Sequence, residues 1–139
     1  MPAEAGFPCL VTIGDVRGCC KPNGGGTIIN TASIAGSVVF PGMPAYCAAK
    51  GAVAMLTRSA AVEYAGQNIR VNAICPGATR TQITDSLPQE LIQAVIKATP
   101  MGRYGEPVEV ARLAVFLASD EAPYLTGELI AIDGAYQIV

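Results

Sequence analysis

The amino-acid sequence predicts an α/β fold in which helices cover both faces of a parallel β-sheet. Short runs rich in β-branched and apolar residues alternate along the chain with longer runs of helical periodicity. Glycine and proline mark the boundaries between these runs, and 51% of the 139 residues are apolar, which is enough for one compact core. Because alternating strands and helices are joined by crossovers, we expect parallel β-α-β units in a single domain.

The first half of the pattern predicts a buried strand and a long helix. The strand is the run TIINTAS, residues 27–33, which follows the loop NGGG and breaks at Gly36. Pro41 and Pro44 bracket a loop, and Pro44 suits the first turn of a helix that runs to about Tyr64. We expect a narrow face of small and apolar side chains on this helix to pack closely. These side chains are Ala48, Ala49, Ala52, Leu56 and Ala60, and Gly51 lies among them.

The second half predicts two more strand and helix units. The run IRVNAI, residues 69–74, is the next strand, and Pro76-Gly77 stops it. A polar loop leads to LPQELIQAVIKA, residues 87–98, which predicts a shorter amphipathic helix. Pro107 opens another helix that ends near Ala118. The run GELIAIDGA predicts a closing strand that ends in a glycine turn.

Charge and cysteine usage exclude several classes of function. The net charge is −2 and no segment is a run of Lys or Arg, so we expect neither nucleic acid nor a membrane surface as a partner. No apolar run reaches the roughly 18 residues of a spanning helix, and the first residues do not resemble a signal peptide. The five cysteines form no Cys-x-x-Cys pair and the chain has no histidine, which argues against a metal site. We therefore expect a cytoplasmic protein with reduced thiols.

A serine, a tyrosine and a lysine form a candidate catalytic constellation. Tyr46 and Lys50 are four residues apart on one helix, so both side chains can point into the same cavity. A phenol that exchanges protons near neutral pH needs nearby positive charge, which the Lys50 ammonium and the helix N-terminus supply. Ser33 is predicted at a strand end, where open α/β sheets bind ligands.

The Tyr-x-x-x-Lys pair is a weak signal when it is taken alone. It arises by chance in about one such chain in ten, and Tyr46 could be an ordinary aromatic residue at a helix end with a hydrated hydroxyl. The joint pattern is stronger. Ser33 is followed thirteen residues later by Tyr46, four later by Lys50, and then by a strand that ends in Asn-x-x-x-Pro-Gly.

Several longer segments, taken together, resemble the short-chain dehydrogenase/reductase family. They are GGGTIINTASIAG, YCAAKGAV, IRVNAICPGATRT, MGRYGEPVEVARLAVFLASD and LTGELIAIDGAY, in the order and spacing of the family, and they cover about Gly24 to Tyr136. The resemblance implies a partial Rossmann-like, doubly wound parallel sheet that lacks its N-terminal strands. Residues 23–139 are then the C-terminal half of the domain, and residues 1–22 are an atypical N-terminal segment that does not align.

The resemblance also implies an activity and a set of site residues. The activity is hydride transfer between NAD or NADP and a small carbonyl or alcohol substrate. Ser33 would orient the substrate, Tyr46 would be the acid and base, and Lys50 would stabilise the phenolate and bind the nicotinamide ribose. The cofactor-binding residues implied are Tyr46, Lys50, Pro76, Gly77, Thr79 and Thr81. Two positions depart from the usual pattern, because Thr79 replaces a Val or Ile and Ala135 replaces a glycine.

Larger departures leave two functions open. The glycine-rich phosphate-binding turn of the family, the residue that selects NAD or NADP, and the catalytic asparagine are not recognisable in this sequence. The first hypothesis is an oxidoreductase of the family type. The alternative is a truncated, non-catalytic remnant that acts as a binding or oligomerisation partner. In either case we expect a homo-oligomer or association with a full-length relative, partly because an exposed sheet edge beside TIINTAS could pair.

Overall fold

The computed structural model of the chain describes residues 24–139. They form a three-stranded parallel sheet in the order β1 (Gly26–Thr31), β2 (Ile69–Pro76) and β3 (Leu129–Ile132). Four helices connect the strands: α1 (Pro44–Tyr64), α2 (Gln82–Asp85), α3 (Gln89–Ala98) and α4 (Pro107–Ala118). The α/β class and the three strands are confirmed. The expectation for residues 1–22 lies outside the described part of the chain.

The central strand β2 sets the alignment of the sheet. It pairs with β1 from Gly26 opposite Ile69 to Thr31 opposite Ile74, and with β3 over its last four residues, Ala73 to Pro76. All three strands run in the same direction, so their carboxyl ends meet at one edge of the sheet. This edge is where the predicted site residues that follow β1 and β2 come together.

Helices cover both faces of the sheet, as predicted. On one face, α1 contributes Ala61 to a core cluster with Ile28 and Val71. On the other face, Leu117 of α4 packs with Ile29 and Ile74 and is fully buried. Strand β2 is therefore buried on both sides, which explains its nearly continuous apolar sequence.

The predicted packing face of α1 is wrong. The side chains buried on this helix are Ala54, Thr57 and Ala61, whereas Ala60 is half-buried. The other predicted members, Ala48, Ala49, Ala52 and Leu56, are exposed. The pattern misled because small residues occur on every side of this helix, so periodicity alone does not select the face. Thr57 helps to select it, since its hydroxyl accepts a hydrogen bond from Asn30 Nδ2 at 2.9 Å and donates one to Val53 O at 2.8 Å.

A short 3₁₀ turn, Ile34–Gly36, follows β1, which ends two residues earlier than the predicted strand. The turn packs tightly on α1: a Cβ atom added to Gly36 would lie 2.9 Å from the carbonyl oxygen of Lys50. The close packing expected of α1 is present here as a contact between two backbones. Helix α2 was not predicted and lies in what the sequence indicated as a polar loop.

The turn after β3 contains a strained residue. Gly134 and Ala135 both have left-handed backbones, with φ of +62° and +72°. A side chain in this conformation is disfavoured, so the departure from glycine noted at Ala135 has a cost in the backbone. Asp133 holds the turn, because its carboxylate accepts hydrogen bonds from the Ala135 and Gln137 amides at 3.0 and 2.9 Å.

We expect Ala135→Gly to stabilise the protein. Removal of the left-handed strain outweighs the extra backbone entropy of glycine in the unfolded chain, for a net gain of about 0.5–1 kcal/mol in the free energy of unfolding. Urea denaturation followed by circular dichroism measures the change. Ala131→Gly is the matched control in β3, where the backbone is extended, and it should destabilise the protein. A loss of stability in both variants would contradict the strain at Ala135.

No helix within residues 24–139 is both long enough and apolar enough to span a bilayer.

Candidate active site

A cleft of about 450 Å³ lies at the carboxyl edge of the sheet. Its walls include the three predicted catalytic residues, Ser33, Tyr46 and Lys50. They also include Pro76, Gly77 and Thr79 from the predicted cofactor segment. The crossover topology therefore brings together six of the seven predicted site residues, which come from β1, α1 and β2 and the turns that follow them.

Tyr46 and Lys50 lie on the first turns of α1. Pro44 occupies the first helical position, as expected, and places Tyr46 in the first turn. The Lys50 Nζ atom lies 5.8 Å from the centroid of the Tyr46 ring and donates a hydrogen bond of 3.0 Å to Thr31 O at the end of β1. The ammonium is thus held beside the phenol, and Tyr46 remains 42% exposed on the cleft wall.

Ser33 caps the 3₁₀ turn that follows β1. Its backbone is extended, and its Oγ atom accepts a hydrogen bond from the Ala35 amide at 3.1 Å. A serine hydroxyl has one proton to donate and two lone pairs. The cap uses one lone pair and leaves the proton available to an oxygen atom in the cleft.

The turn Pro76-Gly77 forms another part of the cleft wall. Gly77 N donates to Ile132 O at 3.1 Å, which holds the turn against the end of β3. A Cβ atom on Gly77 would lie 2.7 Å from the Cβ of Asp133, so the close approach requires glycine at this position.

Hydrogen bonds of three threonine hydroxyls stabilise the segment that follows this turn. Thr79 lines the cleft, and its Oγ1 donates to Gly77 O at 3.2 Å. Thr81 instead caps α2: its Oγ1 accepts from Thr84 N, while its own amide donates to Thr84 Oγ1 at 2.7 Å. Thr84 also donates to Thr79 O at 3.2 Å and lines the cleft. The sequence analysis missed Thr84, although the Thr-x-x-Thr spacing at the start of a helix could have indicated a cap.

An ion pair stabilises the loop that is hydrogen-bonded to this part of the cleft wall. Arg103 makes a bidentate contact with Glu109, with both N to O distances 2.8 Å. Glu109 in turn accepts from Glu106 N at 2.7 Å in a capping box at the start of α4. The loop that carries these residues bonds to the cleft segment through Gly105 N to Ala78 O at 2.9 Å. The residues that cap α4 are therefore connected through this hydrogen bond to the segment that lines the cleft.

This ion pair predicts a specific dependence of stability on pH. Hydrogen bonds from Arg103 and the Glu106 amide lower the pKa of Glu109 from an ordinary value of 4.5 to about 2. A carboxylate with a depressed pKa stabilises the fold above its unfolded pKa and loses that contribution as pH falls through the folded one. We expect Glu109→Gln to be less stable than the parent at pH above about 5, with the difference shrinking as pH falls toward 2. Urea unfolding at each pH measures it.

The control for this experiment is Glu90→Gln. Glu90 is an exposed carboxylate in the first turn of α3 and has no such pair with an arginine among the described residues. A pH-independent difference between Glu109→Gln and the parent would contradict the role of the Glu109 charge.

Among residues 24–139, no three His, Cys, Asp or Glu side chains are grouped as a metal site requires. The described polar groups of the cleft are hydroxyls, an ammonium and backbone amides.

Comparison with known proteins identifies the class of protein that this fold and cleft represent. The sequence profile of a family described as Enoyl-(Acyl carrier protein) reductase matches residues 14–137. The chain belongs to the short-chain dehydrogenase/reductase family, and relatives that it matches are named as reductases and dehydrogenases. The match begins within the N-terminal segment that the motifs did not align.

Individual relatives agree on the family and differ in substrate. The chain is 44% identical over 113 residues to the 3-oxoacyl-[acyl-carrier-protein] reductase FabG of Thermotoga maritima, covering 81% of this chain and 46% of the relative. It is 47% identical over 115 residues to the 3alpha-hydroxysteroid dehydrogenase of Mediterraneibacter gnavus, covering 83% and 46%. The chain therefore spans about half the length of these curated relatives.

A solved structure gives the same result for the fold. The TT0495 protein of Thermus thermophilus superposes with a TM-score of 0.81 at 36% identity, over 89% of this chain and 55% of that one. The described sheet thus corresponds to part of a Rossmann-like sheet, as the family resemblance implied.

Proposed function

We propose that this chain is the catalytic half of an NAD(P)-dependent short-chain dehydrogenase/reductase that interconverts a carbonyl and an alcohol. One observation carries the proposal. Ser33, Tyr46 and Lys50, predicted from spacing, line one cleft beside the Pro76-Gly77 turn. A hydroxyl donor, a phenol and an ammonium within one cavity are the groups that proton transfer to a carbonyl oxygen requires.

Each residue has a distinct part in the proposed reaction. Ser33 donates its free proton to the substrate oxygen and so orients it. Tyr46 gives a proton to that oxygen in reduction and takes it back in oxidation. Lys50, held by Thr31 O with its charge beside the Tyr46 ring, stabilises the phenolate that remains. A bound nicotinamide supplies the hydride in reduction and accepts it in oxidation.

The cleft fits the nicotinamide end of such a cofactor. We assign Lys50 and Tyr46 to the ribose and the segment from Pro76 through Thr81 to the ring. A volume of about 450 Å³ is enough for a nicotinamide riboside beside a small substrate. Thr79 directs its hydroxyl to Gly77 O and its carbonyl oxygen accepts from Thr84 Oγ1, so both groups have partners within this segment. Neither NAD nor NADP is favoured by these residues.

The substrate class is a small molecule with a carbonyl or secondary alcohol. The names of two relatives with more than 40% identity point to an acyl thioester carrier and to a steroid, so identity at this level does not select a substrate. The segment from Thr79 to Met101, which includes α2 and α3, contributes Thr79 and Thr84 to the cleft, and two hydroxyls do not choose between such substrates. A cytoplasmic location, with which the cysteine usage agrees, is part of this proposal.

The alternative function is an association module, and the surface of α1 favours it. Met55 is 61% and Val62 84% exposed on this helix, and the exposed alanines lie between them and Tyr46. Monomeric proteins rarely leave such an apolar strip uncovered. We propose that this face of α1 binds a second copy of the chain or a full-length relative.

A chimera separates the two functions. The first half of the Thermotoga maritima relative would be joined to residues 24–139 of this chain, and oxidation of NADH and NADPH would be followed with a panel of ketones and acyl thioesters. Turnover by the chimera that is lost in Ser33→Ala supports a competent catalytic half. A folded chimera that binds cofactor and reduces no substrate in the panel would favour the association module.

A further inference from the structure

The loop that precedes α1, residues 37–43, is attached to the core by two side chains. Val38 and Phe40 are half-buried and pack against a core cluster that includes Ile34, the residue after Ser33. The other residues of the loop are exposed. The place of this loop therefore depends chiefly on what Val38 and Phe40 contact.

Phe40 also begins the β-turn that leads into α1. Met43 N donates a hydrogen bond to Phe40 O at 3.1 Å. Pro41 and Gly42 lie between them, and the left-handed φ of Gly42, +81°, is that of a type II turn. Met43 is the N-cap residue of α1 and makes no side-chain cap, and its carbonyl oxygen accepts a hydrogen bond from Cys47 N at 3.0 Å. The turn at Phe40 thus sets where α1 begins.

The place of the Tyr46 phenol depends on where α1 begins. Tyr46 is the third residue of this helix, and its side chain is exposed on the cleft wall. Its hydroxyl has no hydrogen-bond partner among residues 24–139, so no bond at the far end of the side chain holds it. A misplacement of reacting groups by about 1 Å can cost about 10²-fold in rate. A shift of the first turn of α1 would therefore impair proton transfer by Tyr46.

The ring of Tyr136 stacks on the ring of Phe40. The two ring centroids are 5.8 Å apart and the ring planes meet at 14°, which is within the range of favourable aromatic pairs. Tyr136 packs against the same core cluster as Phe40. It lies in the 3₁₀ turn Tyr136–Ile138, which Asp133 holds through the bond that its carboxylate accepts from Gln137 N. Phe40 is thus fixed from the segment that follows β3.

This same segment contacts another part of the cleft wall. Asp133 lies directly against Gly77, since a Cβ atom on that glycine would come within 2.7 Å of Asp133 Cβ. Tyr136 N donates to Asp133 O at 3.3 Å, so the two residues belong to one hydrogen-bonded turn. A single short turn therefore touches both the Pro76-Gly77 wall and the loop that leads to Tyr46.

We propose that Tyr136 is a positioning residue that holds Tyr46 in place relative to the Pro76-Gly77 turn. It acts through Phe40 and the β-turn, and it is not among the described residues that line the cleft. This role rests on the proposed function, in which proton transfer from Tyr46 and hydride transfer at the nicotinamide meet at one substrate carbonyl. The relative place of the two walls decides whether both transfers reach that carbonyl.

Amide hydrogen exchange of the 139-residue chain tests this link without any activity. Tyr136→Leu keeps an apolar side chain and removes the ring, and it should speed exchange of the Met43 and Cys47 amides by about threefold to tenfold. Tyr136→Phe keeps the ring and should leave both rates as in the parent. The Gly127 amide, which bonds to Val71 O at 2.7 Å, is the internal control. Unchanged rates at Met43 and Cys47 in Tyr136→Leu, or an equal change at Gly127, would overturn the proposal.

The chimera described above supplies the kinetic measurement. In Tyr136→Leu the single-turnover rate should fall by about tenfold or more while the apparent affinity for substrate changes by less than about threefold, because proton transfer and not binding is impaired. Tyr136→Phe should restore the rate to within about twofold of the parent. Ile138→Ala is the matched control, since Ile138 lies in the same 3₁₀ turn and is 78% exposed. A parental rate in Tyr136→Leu, or an equal loss in Ile138→Ala, would reject the positioning role.

A double variant shows whether the aromatic stack carries the effect. Phe40→Leu should reproduce the slower turnover of Tyr136→Leu, and the two changes together should be no worse than either alone, because both remove one contact. Losses that multiply would reject the stack as the link. A parent chimera that binds cofactor and turns over no substrate would contradict the proposed function alone. The exchange rates of Met43 and Cys47 then still decide whether Tyr136 holds the start of α1.

Discussion

Tyr46→Phe is expected to lower kcat by about 10²- to 10⁴-fold in an assembly that turns over substrate, such as the chimera described above. General acid and base catalysis contributes a factor of this size, and the substitution removes only the hydroxyl that carries the proton. The Tyr46 ring stands within 5.8 Å of Lys50 Nζ and is 42% exposed, so the phenylalanine ring can occupy the same place without disturbing a core. Initial rates at saturating cofactor measure the effect.

Tyr124→Phe is the matched control for this experiment. Tyr124 is 99% exposed and lies outside the cleft, so loss of its hydroxyl should leave kcat unchanged. Circular dichroism and thermal unfolding of both variants check that the fold is retained. A kcat for Tyr46→Phe within about tenfold of the parent would exclude Tyr46 from proton transfer.

The second large effect is on cofactor affinity, which we expect to be about 1 mM or weaker for the 139-residue chain by itself. The cofactor contacts proposed in residues 24–139 are those at the nicotinamide end, chiefly from Lys50 and Tyr46, which line the cleft. One or two charged hydrogen bonds, each worth about 1.5–3 kcal/mol, do not offset the cost of immobilising a flexible dinucleotide. Residues 24–139 contain no glycine-rich turn that opens a helix, the element that binds pyrophosphate in such folds.

Calorimetric titration with NADH, NADPH and reduced nicotinamide mononucleotide tests this prediction. If only the nicotinamide end is held, the mononucleotide, which lacks the adenosine half, should bind about as weakly as the two dinucleotides. A dissociation constant below about 10 μM for either dinucleotide would contradict the prediction. It would direct attention to residues outside the described part of the chain as a phosphate site.

The boundaries of α1 and α4 could be predicted because each helix begins at a proline and because the helical pattern of apolar residues stops where each helix ends. Pro44 and Pro107 both occupy the first helical position. The buried face of α1 could not be predicted, because alanines lie on all sides of the helix. Its apolar residues are therefore not concentrated on one face, and the sequence pattern does not indicate which face packs on the sheet. Tertiary contacts decided it, through the hydrogen bond between Asn30 and Thr57.

The part of the candidate site that could be predicted is the part in which the sequence spacing of the residues follows from the order of strands and helices. Ser33, Tyr46 and Lys50 meet because a strand end and the first turns of the following helix share one edge of a parallel sheet. Thr84 was not predictable in the same way. It reaches the cleft through a capping arrangement with Thr81 and Thr79, and hydroxyl networks of this kind depend on loop geometry that a sequence pattern does not specify.

The contact between Gly36 and α1 joins the turn that follows Ser33 to the helix that carries Tyr46 and Lys50. The turn that begins at Ser33 rests directly on the carbonyl of Lys50, with no side chain between them. The spacing between this turn and α1 is therefore the spacing of two peptide backbones in direct contact. Substitutions elsewhere on α1 can change its surface without altering that separation. A single methyl group at residue 36 would widen it, and would do so for Tyr46 and Lys50 together.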